Sequence, residues 1–329
     1  AFQRAMHAGG FVGIHWPREY GGRAATPIQQ AIFAEEMARA RAPQLVNRVG
    51  INNVGPTLMH FGTDEQKRRF LPGILSADEI WCQLYSEPGA GSDLAALRTR
   101  ADLDGDDYVV SGQKVWTSYA QHARWAILLA RTDQSAAKHR GISYFIVDMR
   151  APGIEIRPLR QLSGASEFNE VFLDNVRVPR ANLIGQPNEG WQITQVTLAH
   201  ERGTSFAIKE QVIARINVDA LVDELRRRGR AGDPVARQKL ARLFVETEIM
   251  RFMNLQMLTR LARGETPGAE TSIVKTFWSE LSQAIGDLGF EILGEHGLLL
   301  RGSPHEVAAG RFTQHLLFSR AATIAGGTS

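Results

Sequence analysis

The chain has 329 residues, of which 43% are hydrophobic and 22% charged, and its formal net charge is +3. This balance is ordinary for a soluble globular protein and argues against a disordered or fibrous chain. No apolar run is long enough to span a bilayer and no signal peptide opens the sequence, so we predict no membrane association. A single cysteine, Cys82, excludes an internal disulfide and favours a cytoplasmic protein with a buried thiol.

The first part of the chain is predicted to be helical. Thr26 and Pro27 precede apolar residues at helical spacing, and proline is favoured at the first helical position. Thr63 and Gln66 have the spacing of a capping box, in which each side chain caps a backbone N–H of the other residue. We expect the helix that starts there to end at Pro72.

From about Trp81 the pattern changes to short apolar runs rich in β-branched and aromatic residues, separated by turn residues. One such turn is expected at Ser111-Gly112. Many short strands at this spacing predict an antiparallel sandwich or barrel. The expected strands lie near residues 80–85, 108–110, 115–116, 125–129, 142–147 and 171–178.

Helical periodicity returns at Asn188. One helix is expected to reach the arginine-rich run near 226, and a second to begin at Asp233-Pro234, an N-cap followed by proline, and to end near Gly264. Further helices are expected at about 269–294 and 311–323. Four long helices with short connections predict an antiparallel bundle.

We therefore predict an α+β multidomain chain. An N-terminal helical domain covers 1–80, a middle antiparallel β-barrel or sandwich covers 81–187, and a C-terminal four-helix bundle covers 188–329. The sequence starts and stops within a pattern, so we expect the first domain to be truncated at its start and the last at its end.

The segment Tyr85–Asp93, YSEPGAGSD, follows an apolar run that is predicted to be a buried strand. Its small residues at 89–91 would let the backbone approach a ligand closely, and Ser86 and Ser92 add hydroxyl groups. Alone, such a loop is either a simple turn or a cradle for a cofactor.

The domain order and several motifs together resemble the acyl-CoA dehydrogenases over essentially the whole chain. Several motifs in the right order are far more specific than one glycine-rich loop. Besides YSEPGAGSD, the similar segments are GIHWPREYGG at 13–22, GQKVWTS at 112–118, FNEVF at 168–172, VP at 178–179 with LIG at 183–185, and TIAGGT at 323–328.

The resemblance implies FAD held between the β domain and the bundle, and oxidation of an acyl-CoA to the 2,3-enoyl-CoA. It implies that Trp116 packs against the isoalloxazine and that Ser118 offers a hydrogen bond. Ser92 would lie near the thioester, and Thr132 either contacts coenzyme A or is a plain strand-end threonine. The residues expected to bind FAD are Gln83, Leu84, Tyr85, Ser86, Gly91, Ser92, Trp116, Thr117, Ser118, Arg227, Gln238 and Thr328. The residues expected to bind substrate are Ser92, Thr132, Arg202 and Gly327.

The reaction needs a carboxylate base for the α-proton. Many family members carry it immediately before a Gly-Thr pair, where this chain has Gly326, which lacks a side chain. Others, including isovaleryl- and long-chain-type enzymes, carry it before an arginine on the first long C-terminal helix, and Glu201-Arg202 matches that position. Glu201 is therefore either the base or a surface glutamate paired with an arginine, and the vacancy at 326 favours the base.

The backbone N–H of Gly326 can still donate to the thioester oxygen. The missing side chain at this position would also widen the pocket, so we expect a branched or bulky acyl group.

The bundle departs from the family pattern. The family often has an Arg…Phe-Gly…Gln segment that reaches the flavin pyrophosphate of a neighbouring subunit, and the run from Arg227 to Gln238 lacks the Phe-Gly pair. Glu291 and Glu295 stand where a Gln…Gly-Gly pattern is usual. We expect either a different hold on FAD or a related subunit beside this one, hence a homo-oligomer, with a tetramer favoured, or a heteromer.

The leading interpretation is an acyl-CoA dehydrogenase of lipid metabolism that passes electrons to an electron-transferring flavoprotein. An acyl-CoA oxidase and a catalytically silent partner subunit are alternatives. A further alternative is a flavoprotein of this fold that binds nucleic acid through the arginine run at 226–230. That run is otherwise a solvated helix end, and it is too short to favour nucleic acid.

Overall fold

The computed structural model describes residues 1–201, 204–265, 268 and 270–327. They form two compact units, one made of Ala1–Ala24 with Pro43–Glu201 and the other of Ala25–Ala42 with the described part of Arg202–Ser329. The order of N-terminal helices, a β sheet and C-terminal helices confirms the predicted fold class. The boundaries at 80 and 187 stay predictions. Among the described helices, none has the length and apolar character needed to cross a membrane.

The capping box predicted at Thr63 and Gln66 is confirmed, and the structure shows a second one at Thr26 and Gln29. Thr26 and Thr63 each accept the backbone N–H of the glutamine three residues later, and that glutamine's side chain accepts the threonine's N–H. These helices are α1 (Phe2–Ala8), α2 (Pro27–Arg39), α3 (Gly55–Phe61) and α4 (Asp64–Ser76).

The expected end of α4 at Pro72 is wrong, because the helix continues to Ser76. A proline inside a helix removes one hydrogen bond. Leu71, Ile74 and Leu75 are buried around it, and the burial of these side chains offsets that loss.

The first unit contains one sheet of eight strands in its described residues, ordered β6-β7-β3-β2-β4-β5-β8, with β1 also paired to β4. Most pairings are antiparallel, as predicted, but β1 and β2 each run parallel to β4. The strands are β1 (Trp81–Leu84), β2 (Arg100–Asp104), β3 (Asp107–Ser118), β4 (Trp125–Arg131), β5 (Ile142–Asp148), β6 (Ile154–Leu159), β7 (Phe168–Pro179) and β8 (Leu183–Ile184).

The turn expected at Ser111-Gly112 is also wrong. Strand β3 runs through it, with register shifts against β7 after Val110 and after Lys114. A Cβ atom on Gly112 would lie 2.4 Å from the Thr99 hydroxyl oxygen, so the glycine serves close packing within a bulged strand.

Successive side chains of a strand point to opposite faces of the sheet, and both faces of this sheet are apolar. On β5, Tyr144 belongs to the core that also contains Trp16 and Ile193, whereas Phe145 belongs to the core of the other face. Cys82 is fully buried in that second core, as predicted. Burial raises the pKa of its thiol far above the ordinary value.

The C-terminal helices are α5 (Gly190–Glu201), α6 (Thr204–Arg227), α7 (Pro234–Ala262), α8 (Glu270–Leu293) and α9 (Arg311–Ala322). The helix predicted from 188 to 226 is found as α5 and α6, and the two residues between them lie outside the described part. Asp233 caps α7 as predicted, because its carboxylate accepts the N–H groups of Val235 and Ala236.

In the second unit, α6 to α9 form the predicted bundle, and α2 packs on α6. Leu221, Met250, Ile285 and Phe312 are buried in the core of the bundle.

Candidate active site

The YSEPGAGSD loop directly follows strand β1. Glu87 and Ala90 exchange backbone hydrogen bonds of 3.1 and 3.0 Å, which closes a tight turn. Gly89 and Gly91 are exposed, and a Cβ atom on either would meet no heavy atom of the described residues within 4 Å. The loop therefore presents bare backbone to open space, as a ligand cradle requires.

A buried ion pair fastens this loop to β3. The Lys114 ammonium donates to the Glu87 carboxylate at 2.9 Å and to the Tyr85 carbonyl at 3.0 Å. The Glu87 carboxylate also accepts the backbone N–H groups of Arg98 and Thr99, at 2.7 and 2.8 Å. The Lys114 side chain has no exposed surface and that of Glu87 is 8% exposed, so the pair is held away from solvent screening.

Burial lowers the pKa of Lys114 to about 8, although Glu87 opposes this change. Burial works to raise the pKa of Glu87, but Lys114 and the donated hydrogen bonds hold it below the ordinary value. Both groups are therefore ionised at neutral pH, and each depends on the other.

The same strand presents Trp116 beside the loop. The N–H of Val115 donates to the carbonyl of Ser86 at 2.8 Å, which brings the two segments predicted to bind flavin together. Trp116 is 61% exposed and has a left-handed backbone with φ of 60°. Such a conformation is costly for a bulky residue and is found preferentially at functional sites.

The residues after Trp116 face two environments. Thr117 is buried, and its hydroxyl has no hydrogen-bond partner among the described residues. Ser118 is half-buried at the end of β3, where it pairs with Phe168 of β7. The ring of Phe168 also meets the Trp116 ring edge-on, with centroids 6.1 Å apart.

The predicted FAD residues before the loop have side chains that are already engaged. The Gln83 amide oxygen accepts from Asn53 at 2.9 Å, and Leu84 is fully buried in the core. The hydroxyl of Tyr85 lies 2.7 Å from that of Tyr144. We expect these residues to meet a cofactor through their main chain.

Thr132, a predicted coenzyme A contact, lies in a polar cluster. Its hydroxyl is 2.6 Å from the Ser143 hydroxyl and donates to the Asn188 side chain at 2.8 Å. These partners favour the plain structural interpretation of this threonine over a substrate contact.

The two candidate positions for the base belong to different units. Glu201 is the last residue of α5, in the first unit. Gly326 and Gly327 follow α9 in the second unit, with φ of 68° and 103°, and the Lys275 ammonium donates to the Gly327 carbonyl. The predicted contacts Arg202 and Thr328 lie outside the described residues.

A Cβ atom on Gly326 would meet no heavy atom of the described residues within 4 Å. Gly326 is itself exposed in the second unit.

The arginine run at the end of α6 is paired with carboxylates. Arg226 meets Asp223, Arg227 and Arg228 both meet Glu224, and Arg230 meets Asp233, at 2.8 to 3.5 Å. This pairing weakens both a nucleic-acid surface and the phosphate role predicted for Arg227.

Two other bundle positions of interest lie on α7 and α8. Gln238 is exposed on α7. Glu291 of α8 pairs with Lys239 at 2.6 Å, so this extra carboxylate is compensated.

The residues of the first unit fit a flavin. The open backbone at Gly89 and Gly91, the exposed indole of Trp116 and the half-buried hydroxyls of Ser86 and Ser118 offer a planar aromatic surface next to polar groups. Among the described residues, no cluster of three or more histidine, cysteine, aspartate or glutamate side chains could hold a metal ion.

Sequence reasoning missed Glu87 and Lys114, although both lie inside motifs that it singled out. Their signal is a charged residue within a segment that is otherwise small or apolar. Such residues are rarely fully buried unless paired, so one acid and one base in two neighbouring buried segments could have predicted the ion pair.

Comparison with known proteins covers the whole chain. Family models for acyl-CoA dehydrogenases match residues 1–78 (N-terminal domain), 82–176 (middle domain) and 188–329 (C-terminal domain). The acyl-CoA dehydrogenase IpdE1 of Mycobacterium tuberculosis is 40% identical over 329 residues, which are 100% of this chain and 84% of that protein.

Two solved structures are similar to this chain over nearly its whole length. The Tcur3481-Tcur3483 steroid ACAD has a TM-score of 0.90 and 36% identity over 99% of this chain and 83% of that chain. The ChsE4-ChsE5 complex from Mycobacterium tuberculosis has a TM-score of 0.85 and 36% identity over 99% of this chain and 84% of that chain. The predicted resemblance is confirmed, and the chain belongs to the acyl-CoA dehydrogenase family of flavoprotein oxidoreductases.

Proposed function

We propose that this acyl-CoA dehydrogenase uses FAD and Glu201 to oxidise a bulky acyl-CoA thioester to its 2,3-enoyl-CoA. The observation that carries the proposal is the exposed, left-handed Trp116, held beside the YSEPGAGSD loop by the Ser86–Val115 hydrogen bond and the Glu87–Lys114 ion pair.

FAD would be held by the loop and by β3. The main chain of residues 84–86 and the hydroxyls of Ser86, Ser92 and Ser118 would meet its polar edge, and the Trp116 indole would pack against its ring system. When bound, FAD supplies the acceptor for the hydride that leaves the β-carbon of the acyl chain.

Glu201 would take the α-proton as its carboxylate becomes a carboxylic acid, while the β-hydrogen leaves with its electron pair. Negative charge then develops on the thioester oxygen, and the backbone N–H of Gly326 would donate to it. The place of Glu201 in the sequence of α5 supports this assignment, because Gly326 has no side chain that could act as a base.

A bulky acyl group is supported by two observations. Gly326 has no side chain, so this residue would place no bulk beside the proposed oxyanion donor. The solved structure with a TM-score of 0.90 carries the name steroid ACAD. We infer a polycyclic, steroid-like acyl group rather than a short straight chain.

A related subunit is the proposed partner. Two similar structures are named as pairs of chains, Tcur3481-Tcur3483 and ChsE4-ChsE5. The altered bundle motif and the carboxylate pairs of the arginine run leave few free cations at the predicted pyrophosphate contact. Electrons would pass on to an electron-transferring flavoprotein.

Anaerobic titration with a panel of acyl-CoAs tests the proposal. The protein, alone and co-purified with a related chain, is mixed with butyryl-CoA, isovaleryl-CoA and the CoA thioester of a steroid side-chain acid. We expect the steroid thioester to bleach the oxidised flavin fastest. Bleaching by none of the thioesters in either preparation would overturn the proposal, and hydrogen peroxide formed in air at one equivalent per turnover would indicate an oxidase.

A further inference from the structure

A row of hydroxyl groups runs through the interior of the first unit. The hydroxyls of Tyr85 and Tyr144 are 2.7 Å apart, those of Tyr144 and Thr197 are 3.3 Å apart, and those of Thr197 and Thr57 are 2.8 Å apart. All four residues are buried. They come from four different segments: the YSEPGAGSD loop, β5, α5 and α3.

The row ends on main-chain carbonyls. The Thr57 hydroxyl is 2.8 Å from the Asn53 carbonyl oxygen, and the Thr197 hydroxyl is 3.0 Å from that of Ile193. Four hydroxyl protons serve these five contacts, so one contact is always left without a proton. Donation from Tyr85 through Tyr144, Thr197 and Thr57 to the Asn53 carbonyl uses all four protons in one direction, and hydrogen bonds in such a series strengthen one another.

Helix stability alone does not explain this arrangement. Thr194, one turn earlier on α5, is equally buried, and its hydroxyl donates to the Gly190 carbonyl at 2.6 Å within the same helix. Thr197 makes the same kind of local contact but also reaches Thr57 and Tyr144 on other elements. Replacing both partners of a buried hydrogen bond by apolar groups of the same shape can be nearly neutral or stabilising, so stability alone does not require this row.

The row joins two parts of the proposed site. Tyr85 begins the loop proposed to hold FAD, and Thr197 lies one helical turn before Glu201 at the end of α5. Both parts belong to the same compact unit. We infer that Thr197 and Tyr144 are positioning residues, which fix the last turn of α5, and with it the backbone of Glu201, relative to the flavin loop.

This inference rests on the proposed function and assigns no proton transfer to the row. Burial raises the pKa of Tyr144 to about 12, although the neighbouring hydroxyls oppose this. The phenol therefore stays protonated over the working range, and the row acts through geometry. A loss of about 1 Å in placement can reduce a rate up to about 100-fold.

The test compares two threonines of one helix. Thr197→Val removes the hydroxyl at nearly constant volume, Thr197→Ser restores it, and Thr194→Val is the matched control. Flavin reduction by a saturating concentration of the CoA thioester of the steroid side-chain acid is followed by anaerobic stopped flow, together with the affinity for this thioester and Tm. We expect Thr197→Val to slow reduction about 10- to 100-fold with little change in affinity. Thr197→Ser should recover most of the rate, and Thr194→Val should reduce its flavin at the wild-type rate.

Tyr144→Phe tests the same link from the other side and covers the case in which Thr197→Val does not fold. If both residues act through one row, the double variant is no slower than the slower single variant. Equal slowing by Thr194→Val and Thr197→Val, or an unchanged rate in Thr197→Val, would overturn the inference alone. A wild-type flavin that no acyl-CoA reduces would overturn the proposed function and the inference with it.

Discussion

Replacing Lys114 by methionine tests whether the buried ion pair holds the YSEPGAGSD loop against β3. The ammonium lies 2.9 Å from the Glu87 carboxylate and also donates to the Tyr85 carbonyl. Methionine keeps the apolar stem and removes the charge and its donors. The loop should then lose its attachment to the strand that carries Trp116.

The expected size of the effect follows from what remains around Glu87. Removing one partner of a buried pair typically costs about 3–5 kcal/mol, because the other charge stays buried without a counter-charge. Glu87 keeps the backbone N–H groups of Arg98 and Thr99, so we expect a loss near the lower limit, about 3 kcal/mol. At about 2–4 °C per kcal/mol for a unit of this size, Tm should fall by roughly 10 °C.

The assay is Tm by circular dichroism together with the flavin content of the purified protein. Glu87→Gln/Lys114→Met removes both charges and keeps one of the two acceptor oxygens, because the amide nitrogen replaces the other. Since no unpaired charge stays buried, the double variant should be more stable than Lys114→Met alone. Lys138→Met is the matched control, because that lysine pairs with Asp93 of the same loop but is half exposed, and its loss should barely change Tm. A Tm of Lys114→Met within 2 °C of wild type, roughly 1 kcal/mol or less, would refute the reasoning.

Three further outcomes are expected. Trp116→Gly should leave the Tm of the flavin-free protein unchanged or slightly higher, because glycine adopts the positive φ of this position without strain. The same variant should retain less flavin, whereas Trp116→Phe should retain more flavin than Trp116→Gly. Equal retention by both variants would contradict a contact between the aromatic ring and the flavin. The folded pKa of Glu87 is depressed, so the stabilisation it contributes should be present above about 4.5 and lost as the pH falls through the lower folded value. A profile of Tm against pH in Glu87→Gln that matches wild type would count against this assignment. Cys82 should resist iodoacetamide in the native protein and react only after denaturation, because burial raises its pKa, and rapid native labelling would contradict this.

Local signals in the sequence located the helices well. Thr26, Thr63 and Asp233 each cap a helix by bonding to residues no more than three positions further along the chain. The local sequence therefore contains all of the information that these caps need. The course of α4 through Pro72 is different, because the decisive term is the burial of Leu71 and Ile74 in a core that only the folded chain creates.

The site depends on long-range pairings that a motif does not show. YSEPGAGSD and GQKVWTS predict two segments that bind flavin, and this stays a prediction; the ion pair that joins the two segments links residues 27 positions apart, which neither motif indicates. The left-handed conformation of Trp116 results from the bulge of β3 against β7, because a register shift occurs between Lys114 and Thr117. The hydroxyl row spans up to 140 positions, and nothing local marks Thr197 apart from Thr194.

The measurement that tests the central claim most directly is flavin reduction by acyl-CoA in Glu201→Gln. Glutamine keeps the size of the side chain and cannot take the α-proton. The matched control is Glu189→Gln at the start of α5, where the side-chain oxygen accepts the Gln186 N–H and an amide can still do so.

If Glu201 is the base, its glutamine variant should retain oxidised flavin and bind substrate while reduction slows by about 100-fold or more, the usual contribution of a general base, and the Glu189→Gln control should match wild type. Reduction of the Glu201→Gln flavin at the wild-type rate would show that another group removes the proton, and it would contradict the account.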